Sequence, residues 1–145
     1  MSGYDVSRDF DAPLEHVWRA LTEPELVAAW TVTGQSGRPV GFAPVVGTKF
    51  QFIGKPTPGW NGVVDCEVLA VEAPKLLRFT WRGGADDDLT TVECTLTPTA
   101  RGTLLRWKHT GFTGVGGFIV SRILSSVRKK MFEQGLPPVL RGLVS

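Results

Sequence analysis

Apolar and polar residues alternate along a series of short segments joined by short turns, and this feature most constrains how the chain can fold. Phe50 and Phe52 alternate within residues 48–53. A longer run covers 62–71 and is closed by Pro74. Leu77, Phe79 and Trp81 share a face of 76–82, Val92, Cys94 and Leu96 of 89–96, and Leu105, Trp107 and His109 of 103–112. Near the start, Tyr4, Val6 and Phe10 do the same. A period of two predicts strands buried on one side. The connections 73–75, 83–88 and 99–102 are short, which implies an antiparallel meander of about six strands.

Such a sheet must cover its apolar face, and the remaining segments supply the covers. Pro13 suits the first turn of a helix whose stripe is Val17, Trp18 and Leu21. Thr22-Glu23-Pro24-Glu25 reads as a capping box opening a second short helix, with Leu26, Val27 and Trp30 inward. Residues 31–47 read as irregular. From Gly117 onward Val120, Ile123, Leu124, Val127 and Met131 recur at helical spacing and are expected to face the core, with Arg122, Arg128 and Lys129 pointing elsewhere. Gly135-Leu136-Pro137-Pro138 is expected to break or kink that helix. Val139, Leu140 and Leu143 form a last apolar patch.

The predicted class is α+β: one domain over residues 1–145, a curved antiparallel sheet wrapped around a long C-terminal helix, with two short helices after the first strand. A length of 145 residues suits one domain, and there is no repeat or linker. A twisted sheet curls, and a curled sheet closed by one helix is expected to leave a hollow. Five Trp and eight Phe against one Tyr supply its apolar walls.

Charge is uneven. Residues 101–145 hold eight Lys/Arg and only Glu133, while 1–100 hold eight Lys/Arg and thirteen Asp/Glu. The basic tail reads as a solvated helix face. Arg128-Lys129-Lys130 lacks interleaved exposed aromatics, so no nucleic-acid partner is expected. No run approaches a membrane span. The opening residues show no leader pattern, and a cytoplasmic location is expected. Cys66 and Cys94 match no metal or redox spacing and read as free thiols on strands too far apart to bridge.

Three segments point to a known family. Residues 12–26 followed by Trp30, residues 66–81, and Gly102-Thr103-Leu104-Leu105 through His109-Thr110-Gly111-Phe112 resemble the START-like superfamily, also called SRPBCC or Bet v 1-like. This superfamily has the helix-grip fold. Within it the chain resembles the branch named for the activator of the heat-shock protein 90 ATPase. The resemblance implies one of three activities: a binder of lipids or polyketides, a cyclase, or a chaperone activator with a part in stress response. Where the branch often has Gly-Trp in the last helix, Ser126-Val127 stands here, and loss of that indole is expected to enlarge the hollow.

Trp30, Phe50, Phe52, Phe79, Trp81 and Trp107 are the predicted aromatic walls of a site for an apolar small molecule, with Val127 and Met131 from the helix. His109 is the favoured polar contact, and Gln134, on the helical side of Val127 and Met131, is a second. No catalytic residue, metal or cofactor is expected. The dinucleotide fingerprint fails at 111–117, where glycines serve to turn the chain into the helix. Asp86-Asp87-Asp88 reads as a solvated turn. The leading expectation is a binder rather than an enzyme, working as a monomer or homodimer. The alternatives are a module stimulating a chaperone ATPase, and a cyclase or aromatase with His109 as acid/base.

Overall fold

The computed structural model describes residues 2–31, 38–56, 58, 61–83 and 88–143. The chain runs β1 (Ser2–Phe10), α1 (Leu14–Thr22), α2 (Pro24–Thr31), β2 (Arg38–Val40), β3 (Lys49–Ile53), β4 (Val63–Glu72), β5 (Leu76–Trp81), β6 (Thr90–Pro98), β7 (Thr103–Phe112) and α3 (Gly114–Lys130). A single π-helical turn (Met131–Gly135) then leads into α4 (Leu136–Leu143). This is the α+β helix-grip architecture that the patterning predicts. One antiparallel sheet has the order β1-β7-β6-β5-β4-β3-β2. The closing pairing of β1 with β7 brings the two ends of the strand series together.

Alternation sorts the sheet into two faces. Phe50, Phe52, Val64, Cys66, Leu77, Phe79, Trp81, Val92, Cys94, Leu105 and Trp107 are buried, with α1, α2 and α4 contributing Val17, Leu21, Val27, Trp30 and Leu140 to the same core. The opposite face is polar. Arg78–Glu93 and Arg106–Asp5 are ion pairs on it, exposed and therefore worth little each.

Several local expectations are corrected. The irregular stretch contains β2, a three-residue edge strand pairing with β3. Thr22 does not cap α2. It ends α1 and donates its hydroxyl to the Trp18 carbonyl, and the first amides of α2 bond the Glu23 carbonyl instead. The expected break, unlike the rest, is met: the π turn, which includes Gly135, separates α3 from α4. The π turn re-spaces the backbone ahead of Pro137 and Pro138, which fall in the first turn of α4, where missing donors matter least. The same turn shifts the helical phase, so Gln134 is exposed rather than beside Met131.

The largest correction concerns α3. Its buried residues are Ser121, Ser125 and Arg128, whereas Val120 and Ile123 are exposed, Ile123 by 58%. Leu124 and Val127 are half-buried, and Met131 is fully buried. The helix makes its main sheet contact with edge strand β1. Small serines at that contact let the backbones approach closely, and Ser121 satisfies its hydroxyl on the Phe118 carbonyl. Apolar Val115, Phe118, Ile119 and Ile123 are left facing outward.

If the serine face is the packed one, Ser121→Leu should overpack it and cost about 1–3 kcal/mol, while Ile123→Ser should change stability by less than about 0.5 kcal/mol. Urea unfolding of both variants checks this. The reverse ranking would restore the apolar stripe to the core.

Candidate ligand site

The aromatic residues pack on one another across strands. Trp107 meets Trp30, Phe79 and Phe132 edge-on at 6.0–6.2 Å between centroids. Phe50 meets Phe52 and Phe79 at about 5.5 Å, and Phe52 lies 5.5 Å from Trp81. Such tilted and T-shaped pairs are the favoured geometry for rings. What remains between Trp30, Phe50, Phe52, Phe79 and Trp107 is a cavity of about 20 Å³, room for one water. The deep aromatic set therefore fills its space.

The hollow survives elsewhere. A cleft of about 360 Å³ lies between the first half of α3 and the adjoining ends of β5, β6 and β7. Its walls are Trp81, Thr90 and Phe112 from the sheet and Gly116, Gly117 and Val120 from the helix. This size falls within the range of small-molecule pockets. Asp88 holds the cleft's end in shape by accepting bonds from the Thr113 amide and hydroxyl at 2.8 and 2.7 Å. Those bonds, the amide's first, hold its carboxyl below the usual range. Asp88 is thus a tie between the β5–β6 turn and α3. Asp86 and Asp87 lie outside the described residues. Gly111, at φ 108°, lets the chain leave β7 toward the helix.

His109 sits under the cleft, fully buried. Its neighbours define its proton. The Thr90 hydroxyl donates to the Trp81 carbonyl at 2.7 Å, so at His109 Nε2, 2.7 Å away, it must accept. Trp107 Nε1 donates to the Tyr4 hydroxyl at 3.2 Å, which in turn donates to His109 Nδ1 at 3.1 Å. The imidazole is neutral, protonated on Nε2, with both nitrogens engaged. Burial, and then the nearby Arg128 charge, push its pKa down to about 3.

Arg128 is a buried residue that sequence reading placed on the wrong face. Its guanidinium carbon stands 4.1 Å from the Trp107 ring centroid and 5.6 Å from that of Trp81. Only 1% of the residue is exposed. Nη1 donates to Met131 Sδ at 3.1 Å, a weak acceptor. Among the described residues, Nε and Nη2 are buried without hydrogen-bond partners and no carboxylate pairs with Arg128. A desolvated cation–π contact contributes about 2 kcal/mol. Removing an ion from water costs several kcal/mol even after relaxation. Stacking therefore does not offset burial. The signal in the sequence was the spacing Ser121, Ser125, Arg128, Phe132, which marks one helix face by small residues rather than apolar ones.

Other predicted residues divide by place. Trp81 lines the cleft, while Val127 is half-buried on the core side and Met131 touches the Arg128 head. Phe112, Thr90, Tyr4 and Phe132 complete the surroundings and were not foreseen. Cys66 and Cys94 are buried free thiols, their pKa values pushed up by burial. A larger groove on the outer face of the sheet is lined by Lys49, Gln51, Asp65, Glu67 and Thr80. Its polar groups bond each other, Gln51 to Asp65 and the Glu67 amide to Thr80.

The family model described as activator of Hsp90 ATPase homolog 1-like protein matches residues 11–145. This chain belongs to that family. A crystal structure of a Mesorhizobium loti protein is 34% identical, covering 98% of each chain with a TM-score of 0.81. A solution structure from Bacillus halodurans is 23% identical over 97% of each chain, TM-score 0.73. A crystal structure of CalU16 from Micromonospora echinospora is 22% identical, covering 94% of this chain and 78% of that one, TM-score 0.67. These last two share the fold. No curated protein matches the chain. Family membership fits a fold that binds hydrophobic ligands in general, without selecting one.

Two outcomes follow. Because His109 has its pKa lowered from 6.5 to about 3 on folding, the unfolded chain binds more protons between those values. The stability this contributes is complete above pH 6.5 and is lost as pH falls toward 3. His109→Gln should flatten the decline of the thermal midpoint between pH 7 and 4, and parallel curves would contradict the buried neutral imidazole. Arg128→Met, which removes an uncompensated buried charge at similar volume, should leave stability unchanged or raise it by about 1–4 kcal/mol. A clear loss in urea unfolding would mean that Arg128 has a partner.

Proposed function

We propose that this protein binds a hydrophobic small molecule, such as a lipid, polyketide or aromatic metabolite, in the cleft between the sheet and α3. The observation that carries this reading is the cleft's place and lining. Trp81, Phe112 and Val120 offer apolar walls to one space, and that space lies between sheet and C-terminal helix, the two parts from which the fold can make a pocket. Thr90 and Thr113 add hydroxyls to the wall, and their protons are committed to the Trp81 carbonyl and to Asp88. The body of the ligand is therefore recognised by shape and burial. A ligand that buries a few CH₂ groups there gains about 0.8 kcal/mol from each. The free buried thiols suit a reducing compartment, and we place the protein in the cytoplasm.

A second reading is a module that stimulates a chaperone ATPase, as the family description suggests. The outward apolar residues Val115, Phe118, Ile119 and Ile123 of α3 favour it, Val115 being 79% exposed. A part in stress response belongs to this reading. An ATPase assay with saturating protein tests it, and absence of stimulation ends it.

For the leading reading, native mass spectrometry and tryptophan fluorescence with a panel of apolar compounds are the test. Val120→Trp, which fills the cleft from an exposed helix position, should weaken binding at least about tenfold, roughly 1.4 kcal/mol, with the urea midpoint held. Failure of every compound to bind, or equal binding by the filled variant, would overturn the reading.

A further inference from the structure

A cation sealed in an apolar core without an anion is an incomplete pair. The two nitrogens of Arg128 that lack partners, Nε and Nη2, are the adjacent pair on one edge of the guanidinium. That edge can grip both oxygens of a carboxylate in a bidentate fork. The third nitrogen, Nη1, is turned to Met131. The arrangement thus leaves free the edge that an anion takes.

Resting on the cleft reading above, we propose that the ligand carries a carboxylate and that the Arg128 guanidinium is its counter-charge. The cleft and the guanidinium share a wall. Trp81 lines the cleft and stacks on Arg128, so the carboxylate reaches the fork by displacing that indole. Val120 lines the cleft two turns before Arg128, with Leu124 between them on the same side of α3. Eight residues of helix at 1.5 Å each set the backbone positions of Val120 and Arg128 about 12 Å apart along the helix axis. The ligand is accordingly an amphipathic acid, its apolar body in the cleft and its carboxylate at Arg128. His109 takes no part in the charge recognition, since both its nitrogens are bonded within the protein.

The stack of Arg128 on Trp107 has two uses here. It holds the guanidinium plane flat against an indole face, which pre-orients the fork. It also keeps water away, so that an arriving carboxylate forms its bonds in a low-dielectric setting where they are strong. The free protein carries the unfavourable charge, and the ligand relieves it.

The test uses two matched pairs differing only in charge: decanoate with decanol, and naphthylacetate with naphthylethanol. Affinities are measured by isothermal calorimetry at neutral pH for the wild type, Arg128→Met and Arg128→Lys. At least one acid should bind the wild type about tenfold or more tightly than its alcohol, as a charge-assisted bidentate pair requires. Arg128→Met should abolish that preference while retaining the alcohol within about twofold. Arg128→Lys, which keeps charge but loses the fork, should lie between them and secures the test should the Met variant fold poorly. Equal affinity for acid and alcohol in the wild type, or a preference that survives Arg128→Met, overturns the proposal while leaving the cleft reading intact. If none of the four compounds binds, both fall.

Discussion

The structure hangs on the contact between the Trp107 indole and what surrounds it. From the middle of β7 this ring touches α2 through Trp30, β5 through Phe79 and the π turn through Phe132. The same indole donates its N–H to Tyr4 on β1, and its face carries the Arg128 guanidinium. Sheet, helix pair and C-terminal helical segment therefore meet on one side chain. Rings packed edge-to-face have little freedom to collapse or slide, so the interior is filled where the aromatics are dense. The residual space moves to the end of the sheet beyond Trp81.

That displacement sets what the molecule can do. A ligand has no room amid Trp30, Phe50 and Phe79, but has it beside Trp81, Phe112 and Val120. Beneath the cleft two polar groups of opposite character are buried. The chain from Trp107 through Tyr4, His109 and Thr90 to the Trp81 carbonyl is saturated at every step. A saturated network of this kind makes for a rigid, unreactive floor. The Arg128 guanidinium is the opposite case, charged and short of acceptors. The contrast between a finished network and an unfinished one directs attention to the arginine rather than the histidine.

Most of the fold was legible because half-buried antiparallel strands write their register into the sequence. In 103–112 the strand bounds and the inward positions Leu105, Trp107 and His109 all follow from alternation. The short strand β2 escaped because three residues including a proline carry no period. Helix α3 was read a face out of phase for a physical reason. Hydrophobic spacing assumes that the richest apolar stripe is buried, yet here close approach to β1 selects Ser121 and Ser125, and the richer stripe stays outside. The π turn then moved Gln134 to solvent, since one additional residue per turn shifts every later position. The aromatic members of the site were recognisable as a set, but which of them would fill space and which would border it depends on ring geometry that spacing does not encode. Arg128 was hidden by the general rule that arginine is seldom fully buried.

The central claim is that the Arg128 fork pairs with the ligand's acid group. Nitrogen-15 NMR of the arginine side chains tests it most directly, following the Arg128 Nε–H resonance as decanoate is added. The account predicts a protected resonance that shifts strongly downfield on saturation, together with the amides of Thr90 and Val120. A resonance that stays in place while those cleft amides respond would show that the ligand binds without the arginine, and would contradict the account.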